Sequence, residues 1–290
     1  MTEQRDENGP PGSPAAAASP QPAAVPETQD EAGAGMDIHK PKAAHNWREF
    51  LTEIGTIICG ILIALGLEQA VEWAHWQERL KETREQVHEE VSSDVEAATL
   101  WLSAAPCLDQ QLAKIEQGLW SARQSGRYAG ADRFSPPLVR FESEAWLNAR
   151  SLQVFDRFST QEAGDLASFY FFPTEMTTSV VALHSQAGDL EILAHPLDHV
   201  TPAEADDLLA RVGRSKELFT RMNFAAMNVV WYGQHLHASA PAPFTRQELA
   251  RGLHQPEACL ANPARVWALM KIPRDKGDPW AALGLHYRHY

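Results

Sequence analysis

The chain is short of cysteine, has no basic cluster and holds only one long run made chiefly of aliphatic residues, and each shortage removes a class of protein. Twenty-five Lys and Arg face 38 Asp and Glu, for a net charge of −13. A chain this acidic, with no basic patch, is a poor binder of nucleic-acid phosphates, so no nucleic-acid partner is expected. Neither H-E-x-x-H nor C-x-x-C occurs, no G-x-S-x-G surrounds a serine, and there is no glycine-rich phosphate loop. No catalytic, metal-binding or cofactor-binding residue can therefore be named. Beyond the amino-terminal arm there is no Asn-Gly hairpin dipeptide and no convincing alternation of polar with apolar residues. Strands are not expected, and the fold class is predicted to be all-α.

The single long aliphatic run, Ile54 to Leu67, is the most informative stretch that is present. Its fourteen residues carry no charge and are bounded by Glu53 and Glu68. A helix needs roughly 20 residues to cross the hydrocarbon core, so the run alone is short. Phe50, Leu51, Ala70, Val71, Trp73 and Ala74 extend its apolar surface on both sides. From Trp47 to Trp73 an ideal helix measures about 39 Å, which matches the ~40 Å between the two interfacial zones where tryptophan concentrates. Trp47, Trp73 and Trp76 are read as interfacial anchors of a transmembrane helix over 46–76. A cleaved signal peptide fits poorly, because Glu68 and Gln69 are not small and helix-favouring sequence continues past them.

On an ideal helix Glu53, Thr56, Gly60, Ala64 and Glu68 share one side, and Thr56, Gly60 and Ala64 are spaced by four. Small residues at that spacing let membrane helices approach closely. This face is predicted to drive homo-oligomerisation or docking on another membrane protein. The residues Glu53-Ile54, Ile57 and Gly60-Ile61-Leu62-Ile63-Ala64-Leu65 resemble the E-I-x-x-I-x-x-G-I-L-I-A-L signature of an uncharacterised family of bacterial single-span membrane proteins. That resemblance covers about 45 residues and implies a membrane location and a helical region behind the anchor. It departs after the span, where Gly66-Leu67-Glu68-Gln69-Ala70 replaces an Asn/Trp-rich stretch, and it brings no catalytic residue.

The first 35 residues hold six prolines, eight alanines and four glycines, with Val25 the one branched aliphatic. Such a segment cannot bury enough apolar surface to offset the entropy of ordering it, so 1–45 is expected to be a disordered arm. Lys40, Lys42 and Arg48 precede the span and Arg79, Lys81 and Arg84 follow it, a near tie by the positive-inside rule. The shortage of carboxylates from Asp37 to Glu49 favours a cytoplasmic amino end in the bacterial inner membrane and a periplasmic carboxyl domain. Cys59 lies inside the span. Cys107 and Cys259 are then an even pair that an oxidising compartment could join, although two unrelated buried thiols fit the sequence as well.

Behind the span Leu80, Val87, Val91, Val95, Ala98 and Leu102 form one apolar stripe, with charged residues assigned elsewhere. The helix is expected to continue as a stalk over 77–105, its stripe packed on the domain or on a partner's stalk, and to stop at Pro106. Residues 106–290 then form an irregular helical bundle. Its starts are marked by Ser159-x-x-Glu162, Thr201-Pro202-x-Glu204, Thr245-x-x-Glu248 and Asn262-Pro263, and one helix is expected to close near Ser125-Gly126.

The remaining chemistry is thin. His195 and His199 flank Pro196, His235 and His237 point to opposite sides of a helix, and His286 and His289 belong to the tail. Glu142 and Glu144 around Ser143 are acids without a visible pocket. Phe169 to Phe172 and Met222 to Tyr232 read as core, with a ligand pocket as the alternative. The leading expectation is a non-enzymatic protein whose domain binds or scaffolds a partner or small ligand that the sequence does not identify. The alternative is a membrane-tethered hydrolase or metal enzyme.

Overall fold

A computed structural model describes residues 47–271 together with 282 and 283. The arm over 1–45 and the tail histidines His286 and His289 lie outside the described residues. Within them the fold is all-α, with no named strand. It comprises α1 (Trp47–Ser125), α2 (Glu144–Ser151), α3 (Thr160–Asp189), α4 (Pro202–His235), α5 (Arg246–Leu253) and α6 (Pro263–Leu269), joined by three 3-10 turns. Contacts divide the chain into a unit Met1–Ile61 and a unit Leu62–Tyr290. The described part of the first is the amino-terminal portion of α1, which holds exposed Phe50, Leu51, Ile54, Ile57 and Ile58. α1 is long and apolar enough to cross a membrane, and its most apolar stretch is entirely unburied.

The second unit is built on the apolar stripe of α1. Leu80, Val87, Val91, Val95, Ala98 and Leu102 are all buried, so the residues expected to form a stalk are the middle of α1, packed within the bundle. Pro106 does not end that helix, which runs on to Ser125. An interior proline costs about 3 kcal/mol through its lost hydrogen bond and ring clash. Beyond it Leu108, Leu112, Ile115 and Leu119 are buried, at about 2 kcal/mol each, and their burial outweighs the defect. Pro173 inside α3 is the same case: the capping box at Ser159 predicts a helix through about Phe171 and the spacing of Met176, Val180 and Leu183 another from Thr174, yet the two are one, with Phe169, Tyr170 and Met176 buried around the proline.

Local punctuation sets the other boundaries. α1 closes at Ser125 with Gly126 at φ 74°, a left-handed position that suits glycine. Thr201 and Thr245 each form complete capping boxes with Glu204 and Glu248. Ser159 accepts the Glu162 N–H at 3.1 Å, while the Glu162 carboxylate turns instead to Arg84. Asn262 caps α6 by accepting the Ala264 N–H.

Side-chain pairs order the three long helices. Glu162 and Tyr170 of α3 meet Arg84 and Glu90 of α1 in ascending order, so α3 runs in the same direction as α1. Asp206, Lys216 and Asn223 of α4 meet Arg123, Glu116 and Trp101 in descending order, so α4 returns. A smaller apolar cluster of Ala104, Cys107, Leu249 and Leu260 holds α5 against α1 on either side of Pro106.

Candidate functional site

The bundle buries two acids that the stripe reading had assigned to solvent. Glu90 and Asp94 lie one turn apart on α1 beside Val87, Val91 and Val95, and Asp94 is wholly inaccessible. They are placed there because a helix repeats every 3.6 residues, so positions 90 and 94 share a side with 87 and 91. An acid at such a position needs partners, and α2 and α3 supply them. The Glu90 carboxylate accepts the Tyr170 hydroxyl at 2.6 Å and the Ala145 N–H at 2.8 Å, with a longer contact from the Trp146 N–H at 3.4 Å. Ser143 gives α2 no side-chain cap. Glu90 therefore caps α2 from another helix, bringing negative charge to the positive end of its dipole.

Asp94 is served less completely. One oxygen accepts the Glu142 N–H at 2.8 Å, and the other is buried with no hydrogen-bond partner. Burial pushes the Asp94 carboxyl up to about 8; the Glu142 N–H opposes that rise and the Glu90 charge beside it adds to it. At neutral pH the group is mainly a protonated acid. Tyr170 is raised as well, by burial first and then by its bond to Glu90. Its ring stacks on Trp146 with centroids 4.8 Å apart, which closes the acids off on that side. The cluster is a buried lock that pins residues 142–146 to α1.

The other residues singled out in the sequence are dispersed. Glu53, Thr56, Gly60, Ala64 and Glu68 are all exposed on α1. A Cβ added at Gly60 would meet nothing within 4 Å, and the Thr56 hydroxyl donates to the Thr52 carbonyl. Trp47 and Trp73 are exposed, whereas Trp76 is half-buried beneath Arg157. Cys107 and Cys259 are joined in a disulfide with Cα atoms 5.0 Å apart, and Cys59 is free and exposed.

His195, His199, His235 and His237 are exposed, and His235 packs its ring on Trp231. Among the described residues no three His, Cys, Asp or Glu side chains converge on a metal-sized site. Glu142 gives its backbone to Asp94, while Glu144 is exposed and lies 4.0 Å from Arg140. Phe169, Tyr170 and Met222 are core residues, whereas Phe171 and Phe224 face outward. An open hollow of about 540 Å³ is lined by Lys114, Gln117, Gly118, Ser121 and the 129–132 loop, and the Lys114–Asp132 ion pair there is exposed. It contains no converging acid or nucleophile.

No family model, curated protein or solved structure matches the chain. The buried acids could have been found by placing Glu90 and Asp94 on the helical wheel with the stripe. Their partners could not, because Glu142, Ala145 and Tyr170 are 48, 55 and 80 residues away in sequence.

Proposed function

We propose that this is a single-pass protein of the bacterial inner membrane, with its amino end in the cytoplasm and a periplasmic helical domain that has a binding or scaffold role. The observation that carries this reading is the contrast between an entirely unburied apolar stretch of α1 and a bundle whose two buried acids hold its segments together. Glu90 caps a helix, Asp94 anchors a loop, and neither lines either of the hollows at Lys114 or at Trp76. That use of the acids favours a non-enzymatic domain over a hydrolase or metal enzyme. The Cys107–Cys259 bond supports an oxidising compartment. Open space at Gly60 is compatible with self-association or with docking on another membrane helix.

Thiol labelling of intact cells with an impermeant reagent, before and after reduction, tests location and topology together. Cys107 and Cys259 should label only after reduction and without permeabilising the inner membrane. Labelling that requires inner-membrane permeabilisation would put the domain in the cytoplasm and overturn the proposed orientation.

A further inference from the structure

Within the unit Leu62–Tyr290, α1 passes from exposed Leu62, Ile63, Leu65, Leu67 and Val71 to its first buried residue, Leu80. Trp76 lies between the two, and two guanidinium groups sit on its ring. Arg157 Cζ is 5.6 Å and Arg79 Cζ 5.8 Å from the ring centroid. Arg157 comes from the 3-10 turn Val154–Arg157, so this contact brings a second chain segment to the level of Trp76. Both arginines are exposed, and among the described residues neither has a carboxylate partner, whereas Arg84 is held by both oxygens of Glu162. Five residues before Arg157, Leu152 is 64% exposed, and it precedes a left-handed Gln153.

We propose that this shoulder of the bundle rests on phospholipid headgroups, with Arg79 and Arg157 binding headgroup phosphate around Trp76 and Leu152 entering the interface beside them. The proposal rests on the single-span reading. From Val71 to Trp76 the helix rises about 7.5 Å, and the headgroup layer on each side is about 5–7 Å thick. A helix leaving the hydrocarbon near Val71 brings Trp76 and the Arg157 turn to the outer part of that layer. Indole rings favour this zone. A guanidinium fork without a counter-charge matches a phosphate with two parallel hydrogen bonds. Glu72 and Glu78 are exposed nearby and offset the arginine charge, so the recognised group is the phosphate itself and not an excess of anionic lipid.

The test places p-benzoylphenylalanine at Leu152 in the full chain, reconstituted in phosphatidylcholine nanodiscs, with mass spectrometry after irradiation. A phospholipid adduct is expected, and its yield should fall several-fold with Arg79→Gln and Arg157→Gln together. Arg157→Gln alone should give a smaller fall and serves where the pair disturbs folding. No lipid adduct, or a yield unmoved by both variants, would overturn the contact. Alkaline carbonate extraction separates the two levels of failure. A chain released from membranes sinks the single-span reading as well, whereas a retained chain without the adduct sinks only the headgroup contact.

Discussion

The two stretches of α1 treat the same residue types in opposite ways. Before Trp73 isoleucines and leucines are exposed on every side, whereas from Leu80 the apolar residues are buried along a stripe that widens to the whole helix at Trp101–Ala105. Glu53 and Glu68 are exposed in the first stretch, while Glu90 and Asp94 are buried in the second. Cys59 is free and Cys107 is bonded. A helix that is apolar all round uses its surroundings as solvent, and one with a stripe uses its own bundle. Identical substitutions should therefore have unequal consequences in the two stretches.

The cysteines should give the largest inequality. The Cys107–Cys259 bond closes a loop with a sequence separation of 152, and restricting so long a loop in the unfolded chain is worth about 5 kcal/mol. Cys107→Ala with Cys259→Ala should lower the unfolding free energy of the full chain in detergent by that order, read from the urea midpoint and slope by tryptophan fluorescence. Cys59→Ala should leave it unmoved. Equal midpoints would mean that the α5 cluster is held by its apolar contacts alone.

The acids come next. Glu90→Ala leaves the Tyr170 hydroxyl and the first N–H groups of α2 without an acceptor, and stranding buried groups of this kind costs about 3 kcal/mol. Glu68→Ala, at an exposed position, should change stability by less than about 0.5 kcal/mol. Close behind is Gly233, where an added Cβ would collide with the Val95 side chain. Gly233→Val should destabilise by about 2 kcal/mol through overpacking, measured in the same unfolding experiment.

Asp94 sharpens the contrast through pH. Its carboxyl stands at about 8 when folded against an ordinary 3.8, so the folded chain holds a proton that the unfolded chain releases. The contribution is complete below about pH 4, falls as pH rises, and is gone above about pH 8, with a slope near 1.4 kcal/mol per pH unit between those limits. Asp94→Asn keeps an acceptor for the Glu142 N–H and removes the titration. The variant should gain on the parent chain from pH 5 to pH 8, and parallel curves would show that Asp94 is not the group responsible.

Local chemistry was legible in the sequence and long-range chemistry was not. The Thr201 and Thr245 caps, the Asn262 start, the Gly126 stop and the stripe from Leu80 to Leu102 are each decided within a few residues. Pro106 and Pro173 misled because a proline's cost is local while the burial that outweighs it comes from other helices. Glu90 looked like any exposed glutamate until Tyr170 and the start of α2 were brought to it. The Arg157–Trp76 contact joins residues 81 positions apart, and no periodicity announces it.

The smallest expected effect on stability is at Gly60, and it separates the two stretches most cleanly. Gly60 and Gly233 are both glycines inside long helices, yet a side chain meets open space at the first and Val95 at the second. Replacing an exposed helical glycine by a better helix former is neutral or slightly favourable, by about 0.5 kcal/mol. Gly60→Ile should therefore leave the unfolding midpoint unchanged. If the face carrying Thr56, Gly60 and Ala64 packs against a second helix, the added bulk prevents close approach, and the signal in a membrane two-hybrid reporter should drop several-fold. An unchanged signal with an unchanged midpoint would leave Gly60 as an ordinary lipid-facing residue and return the small-residue spacing to coincidence.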